Sequence, residues 1–456
     1  MTIVHKLGLS VVIICGGLSI LWGCLLGWRA YEGPLDFQAI YYGARTLIEH
    51  HNPYSISELE SVYQAKSGDR RPIGSKKHDL ITLFVNTPGT VLLVAPIAAL
   101  PLGVAQALWM VLTAGSVVLA CVLLWGVAAE HASGLSTCLI GFLLLNCQVV
   151  IAAGNTAAIV VGLCAIAAWC FVRDRFVIAG VLCMVISVAI KPHDSGLVLF
   201  YFLLAGSTYR KRALQSAILV GIICLAAVVW LSSIAPHWLH DWQSNLALIS
   251  APGGMNDPRP TSVASATAPG NVISLQAIFS IFSDSPGFFN LASYTACGAI
   301  MLPWMAVTLR ARISESRAWF ALAVIAPLTM LITYHRVYDA KLLMLCIPAC
   351  AMLWAMRGRI GVAALVLTSL GVILNADIPL AIYATLLQHA HLSTSTISGK
   401  ILTILIARPN QLVLLAMSLF YLWVYAQKHL VSIAQGDPQY ASQTADLIDA
   451  PDHARV

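Results

Sequence analysis

The sequence predicts an all-α polytopic membrane protein, and three observations carry that prediction. Of its 456 residues 59% are hydrophobic and 10% charged, with a mean hydropathy of +0.81, more apolar surface than any water-soluble core hides. The apolar residues gather into runs that predict about 11–13 spans. Lysine and arginine concentrate in short turns between those runs. The formal charge of +6 is thus scattered along the chain and not massed on one face, which excludes nucleic acid as a partner.

The first run, 7–28, approaches the length of a span, and no A-x-A cleavage site follows it, so it reads as a retained helix and not a signal peptide. Further runs lie at 104–128, 136–150, 155–172, 176–190, 196–206, 214–234, 289–309, 318–334, 340–356, 360–376 and 410–427, with another candidate at 81–100. The densest basic turns are FVRDRF at 171–176, YRKR at 209–212, RARISESR at 310–317 and RGR at 357–359. The positive-inside rule makes these cytoplasmic. Alternation then places 29–80, Lys191-Pro192-His193-Asp194, 235–288, 334–339 and 377–409 outside, and the polar tail 431–456 in the cytoplasm. The first half conflicts with this count if every run spans. Either 81–100 or 136–150 must be a short or re-entrant element, tolerated where backbone lines a protected cavity. All twelve cysteines fall in apolar runs without CxxC spacing, which indicates neither disulfides nor a thiolate metal site. No internal repeat of the kind that builds transporters is visible.

The first external loop carries the most unusual chemistry. In PLDFQAIYYGARTLIEHHNPYS, at 34–55, Phe37, Ile40, Tyr41, Ala44, Leu47 and Ile48 keep helical spacing opposite Gln38, Arg45 and Glu49. The pattern predicts an amphipathic helix along the membrane surface, ended by Asn52-Pro53. Asp36 stands at its start, as a helix cap or as a base at headgroup level. Lys191 either snorkels or binds an anion, Arg336 either pairs with Asp339 or binds an anion, and His335 either packs or assists them. His50-His51 is not a metal pair, because adjacent residues point apart and no third ligand is placed. Tyr41, Tyr42, Tyr54, Trp238 and Trp242 belong to an interfacial belt or stack on sugar.

Asp36-Phe37 through Tyr41, Asn52-Pro53-Tyr54, Asn86-Thr87-Pro88 with Pro96 and Leu100-Pro101, Gly154-Asn155, Ala179-Gly180-Val181 leading to Ile190-Lys191-Pro192, Gly270-Asn271 with Ser274-Leu275, and Tyr334-His335-Arg336 with Tyr338-Asp339 follow one another in a familiar order. Over about 30–345 the chain resembles the bacterial polyprenol-phosphate-mannose-dependent mannosyltransferases of glycosyltransferase family 87. One departure is Gly154-Asn155-Thr156-Ala157, where many members read Gly-Gln-x-Asn. The resemblance implies a glycosyltransferase C type helical bundle over 1–430, with short amphipathic helices in its first external loop; no cofactor is expected, and residue spacing places no metal site. The implied activity is inverting transfer of a sugar, mannose by analogy, from a polyprenyl-phosphate donor to a lipid or glycan acceptor at the outer face of the bacterial inner membrane. Asp36 matches the family's catalytic aspartate. Lys191, Arg336 and His335 are then expected at the donor phosphate, and Tyr41, Asn52, Tyr54, Asn155, His193 and Asp339 at the sugar or acceptor. A polysaccharide polymerase or ligase, or less readily a solute transporter, is the alternative.

Overall fold

A computed structural model describes residues 3–30, 34–67, 81–260, 262, 271–387 and 396–427. The expected cytoplasmic tail 431–456 lies outside them, as do 68–80 and 388–395 of the first and third external loops. The described chain is helical throughout, apart from one antiparallel pair of two-residue strands, Val272–Ile273 and His335–Arg336. Among the described residues six helices are long and apolar enough to cross a membrane, or seven if one bent pair counts as a span. Shorter apolar helices, such as Thr156–Val172 and Val177–Ile190, fill the interior. The expected count of about 11–13 spans exceeds this, because inner helices such as these fall below spanning length where protein, not lipid, surrounds them.

The stretch Leu102–Ala153 is 52 residues long, far more than a bilayer needs as one straight helix. It folds back at Ala132, whose φ of −149° and ψ of 76° leave the helical region. Trp125 Nε1 donates to Thr137 Oγ1 across that fold, so the stretch forms a hairpin. It approaches its starting end again near Gly154, whose carbonyl accepts from Trp109 Nε1 at 2.7 Å.

Of the two candidates for a short element in the first half, 136–150 belongs to the returning arm of the hairpin, whereas 81–100 holds only the eleven-residue helix Pro88–Ala98. Thr87 caps its start, and the hydroxyls of Thr87 and Thr90 also donate to the carbonyls of Ala189 and Ile190. Those carbonyls lie in the last turn of Val177–Ile190, where no helical N–H is left to reach them. Gly89 permits this approach, since a Cβ there would meet the Ala189 oxygen at 2.6 Å. At the other end, Arg45 donates to the carbonyls of Ala98 and Ala99, and Tyr41 Oη to that of Leu100.

The helix Leu35–Ile48 departs from its expected surface position. Gln38 is buried along with Phe37, Ile40, Tyr41, Tyr42 and Leu47, because Pro88–Ala98 and the following elements cover it. It ends at Ile48, before Asn52-Pro53, where His50 takes a left-handed φ of 62°. The run 340–356 also differs. It opens as a 3-10 helix, Asp339–Cys346, and becomes α-helical only from Ile347, since Pro348 has no N–H to offer the carbonyl four residues back. The expected third loop contains two further apolar helices, Asp377–Leu387, bent 69° from Arg359–Leu374, and Ile397–Ala407.

Three of the basic turns do meet at one end of the bundle. Arg173 binds Glu130 at 2.7 Å and Glu315 at 3.0 Å, while Arg212 reaches the Phe171 carbonyl and pairs with Asp174. The candidate site gathers from the loops at the other ends of these helices.

Candidate active site

Asp36 occupies the first turn of its helix without capping it, since the N-cap position is Pro34. Its carboxylate instead accepts from Asn155 Nδ2 at 2.6 Å. The other side of the same amide caps Thr156–Val172, Asn155 Oδ1 accepting from the Ala157 N–H at 2.8 Å. Gly154 makes this possible twice over. Its φ of 63° suits glycine, and a Cβ would lie 2.8 Å from that of Pro34 and 2.9 Å from that of Phe37. Phe37 stacks on Trp109 at 5.0 Å, which completes the seat. Burial raises the Asp36 carboxyl above its ordinary value, and the Asn155 amide and the charges of Arg336 and Lys191 offset this only in part.

Lys191 sits in extended backbone at the break between Val177–Ile190 and Pro192–Leu204. Its ammonium contacts Asp339 Oδ1, lies 3.1 Å from Asp194 Oδ2 and rides over the Tyr338 ring. Burial works against this charge, but Asp194 and Asp339 outweigh it and hold the proton more firmly than usual. Asp194 is fully buried, with its other oxygen 3.1 Å from His335 Nε2 and 3.6 Å from His193 Nε2. Among the described residues, His193, Asp194 and His335 form the one group of three ligand-type side chains whose atoms lie within 4.8 Å of one another.

The turn 334–339 supplies the remaining groups. Asp339 Oδ2 accepts the Arg336 N–H at 2.8 Å, so this aspartate orders the turn while its other oxygen holds Lys191. The Arg336 guanidinium does not pair with Asp339. It donates to Tyr334 Oη and the Met255 carbonyl, and stays partly exposed. Burial again opposes its charge, while Tyr338, Tyr334 and Asp36 favour it and raise its affinity for the proton. The strand pair aligns Val272 with Arg336 and Ile273 with His335, tying the second long loop to the turn.

Asp36, Asn155, Lys191, His193, His335, Arg336 and Asp339 therefore lie near one another. Tyr41, Asn52 and Tyr54 are corrected to scaffold positions, because their polar atoms are spent inside the protein. Tyr41 Oη donates to Leu100, Tyr54 Oη donates to Asn86, and Asn52 binds Asp241 Oδ2 at 2.7 Å while accepting the Tyr54 N–H. Trp238 and Trp242 pack on Tyr54 in the same knot. The sequence leaves His193-Asp194 to hold each other or to assist the acceptor; Asp194 contacts His193, but Lys191 and His335 lie closer, the former one helical turn before it.

The profile of glycosyltransferase family 87 matches residues 84–334, more than half of the chain. The chain belongs to glycosyltransferase family 87. It is accordingly a multi-pass membrane glycosyltransferase. The family-matched range contains Asn155, Lys191, His193 and Asp194, stops one residue short of His335, and begins after Asp36. No curated protein and no solved structure matches this family member.

Proposed function

We propose that this glycosyltransferase moves mannose from a polyprenyl-phosphate donor to a hydroxyl of a lipid or glycan acceptor at the outer face of the bacterial inner membrane. The observation that carries the reading is the meeting of a carboxylate of raised basicity, Asp36, with the cations Arg336 and Lys191 in one site. Displacement of a phosphate from C1 of a sugar asks for those two functions. The attacking hydroxyl loses a proton to a base, and the departing phosphate gains negative charge that fixed cations stabilise. Asp36 takes the proton, the Asn155 amide aiming its carboxylate. Arg336 offers the phosphate a planar fork of donors, and Lys191 a point charge. One carboxylate acting as base, with no covalent sugar–enzyme intermediate, gives inversion at C1. Asp339 takes a positioning role, ordering both cations.

The test is product analysis with the purified chain in lipid nanodiscs. Radiolabelled polyprenyl-phosphomannose should pass label to an acceptor, whereas a nucleotide-linked mannose should not. Equal use of the nucleotide donor would refute the lipid-phosphate assignment, and growth of a long polymer would favour the polymerase alternative.

A further inference from the structure

We propose that His193, Asp194 and His335 form a binding site for a divalent transition-metal ion of the zinc class, with a coordination position left for a phosphate oxygen. The role toward phosphate rests on the reading of a lipid-phosphate donor, but the binding of the ion does not.

The convergence of the three side chains is the first argument. Both imidazole Nε2 atoms approach the same oxygen, Asp194 Oδ1, at 3.1 Å from His335 and 3.6 Å from His193. Ligand atoms around a tetrahedral zinc, at bonds of about 2.1 Å, stand about 3.4 Å from one another, so the trio needs little movement to close on an ion. The Lys191 ammonium lies on the other oxygen, Oδ2, and leaves Oδ1 to the histidines.

The hydrogen bonding is the second argument. His335 Nδ1 lies 2.9 Å from the Thr333 carbonyl, which only accepts, so Nδ1 carries the hydrogen. In the neutral ring Nε2 is then a lone pair facing a carboxylate, an arrangement that repels unless a cation lies between. His335 Nε2 and Asp194 Oδ1 are buried in side chains that are 0% exposed, while Lys191 answers only the other oxygen, Oδ2. A proton on His335, with the His193 hydrogen on Nε2, would answer the same contacts without an ion, and zinc titration separates the two states. An ion satisfies all three at once. A backbone carbonyl on the far nitrogen is also how metal-binding histidines are commonly oriented. The local charge agrees, because Asp194 and Asp339 outnumber the single ammonium of Lys191 by one. Two imidazoles and one carboxylate suit zinc better than magnesium or calcium, which prefer all-oxygen shells. His193, with 38% of its side chain exposed, gives the ion its way in.

The full chain, stripped with a chelator and titrated with zinc alone, decides the matter by metal content after gel filtration and by melting temperature. Wild type should retain about one zinc per chain and melt higher with it. His193→Gln and His335→Gln should each weaken retention at least about tenfold and lose the thermal shift. His193 is at the surface, so its variant tests binding without threatening the fold. Wild type that retains no more zinc than His193→Gln would overturn the proposal in favour of a protonated His335. In transfer assays, chelation should slow label transfer at least about tenfold, with recovery on added zinc or manganese. Zinc retention with chelation-insensitive transfer would overturn the role toward phosphate alone, whereas zinc retention without any use of a polyprenyl-phosphate donor would overturn the donor reading and leave the site standing.

Discussion

Two buried ionic clusters lie on either side of the Asp339–Cys346 helix, and they are built to opposite standards. Lys341 and Asp377 pair at 2.9 Å and are almost wholly enclosed. The Lys341 ammonium also reaches the Asn375 carbonyl, and the second Asp377 oxygen accepts the Val149 N–H at 2.9 Å. Asn146 Oδ1 in turn accepts the Ile378 N–H. The pair thereby clasps two helix breaks, 146–148 and 375–377, and its charges and backbone groups are answered within the protein. Two residues earlier in the chain, Asp339 opens a different cluster. There Asp36 is partly exposed, Arg336 faces outward from its turn, and Asp194 and His335 keep buried atoms without directed partners. A closed polar network fixes a fold, while one left incomplete holds free capacity that a ligand can use.

The largest effect expected from this contrast is on stability. Asp377→Ala should destabilise the chain by about 3–5 kcal/mol, because Lys341 remains charged and buried without its partner. Replacing both by apolar residues, Lys341→Met with Asp377→Leu, should recover most of the loss, which thermal unfolding in detergent will measure. A double variant no more stable than the single one would mean that the clasp acts through its backbone contacts and not through charge.

Smaller changes are expected at the open cluster, and they should fall on function. Arg336→Lys and Lys191→Gln should each weaken use of the donor by about 10–100-fold, the worth of a charge-assisted hydrogen bond; the melting temperature should change little in Arg336→Lys, whereas Lys191→Gln should also lower it, because Asp194 and Asp339 lose their buried cation. Donor titrations should locate the loss in donor binding and not in acceptor KM. If acceptor KM moved instead, the two cations would belong to the other substrate.

The smallest effect concerns Asn155. Asn155→Ala removes a helix cap and should cost about 1 kcal/mol. It also removes the hydrogen bond that lowers the Asp36 carboxyl, so that carboxyl should rise further. Transfer needs ionised Asp36 and declines as pH falls through its pKa. The acid limb of the pH–rate profile should therefore shift to higher pH in the variant. An unmoved limb would show that another group controls it.

Much of the fold and part of the site are legible in the sequence, for different physical reasons. Bilayer-length apolar runs announce themselves because lipid demands them. The basic turns were readable because charge stays at the membrane edge, and three of them do meet at one end. Amphipathic spacing misled at Leu35–Ile48, since periodicity reveals which face is apolar but not that protein covers the polar face as well. Asp36, Lys191 and Arg336 stood out because charge in an apolar chain has few innocent explanations. Tyr41, Asn52 and Tyr54 were equally visible, yet their partners are backbone carbonyls and a distant aspartate that no local pattern predicts. At Gly154-Asn155-Thr156-Ala157 the role of each residue shows only in three dimensions, the shared glycine making room for Pro34 and the differing Asn155 holding Asp36.

The central claim is that Asp36 is the base, and single-turnover transfer by Asp36→Asn at saturating donor tests it most directly. Asparagine preserves size and can still contact Asn155, so the fold should hold. Stability should even rise slightly above the pH where Asp36 ionises: its raised pKa means that the charged form is disfavoured in the folded chain, a penalty present above that pKa and absent once the proton is bound. The account predicts a fall of about 10²–10⁴-fold in the transfer rate, with donor binding retained. Transfer within a few-fold of wild type, by a variant that still binds donor, would contradict it.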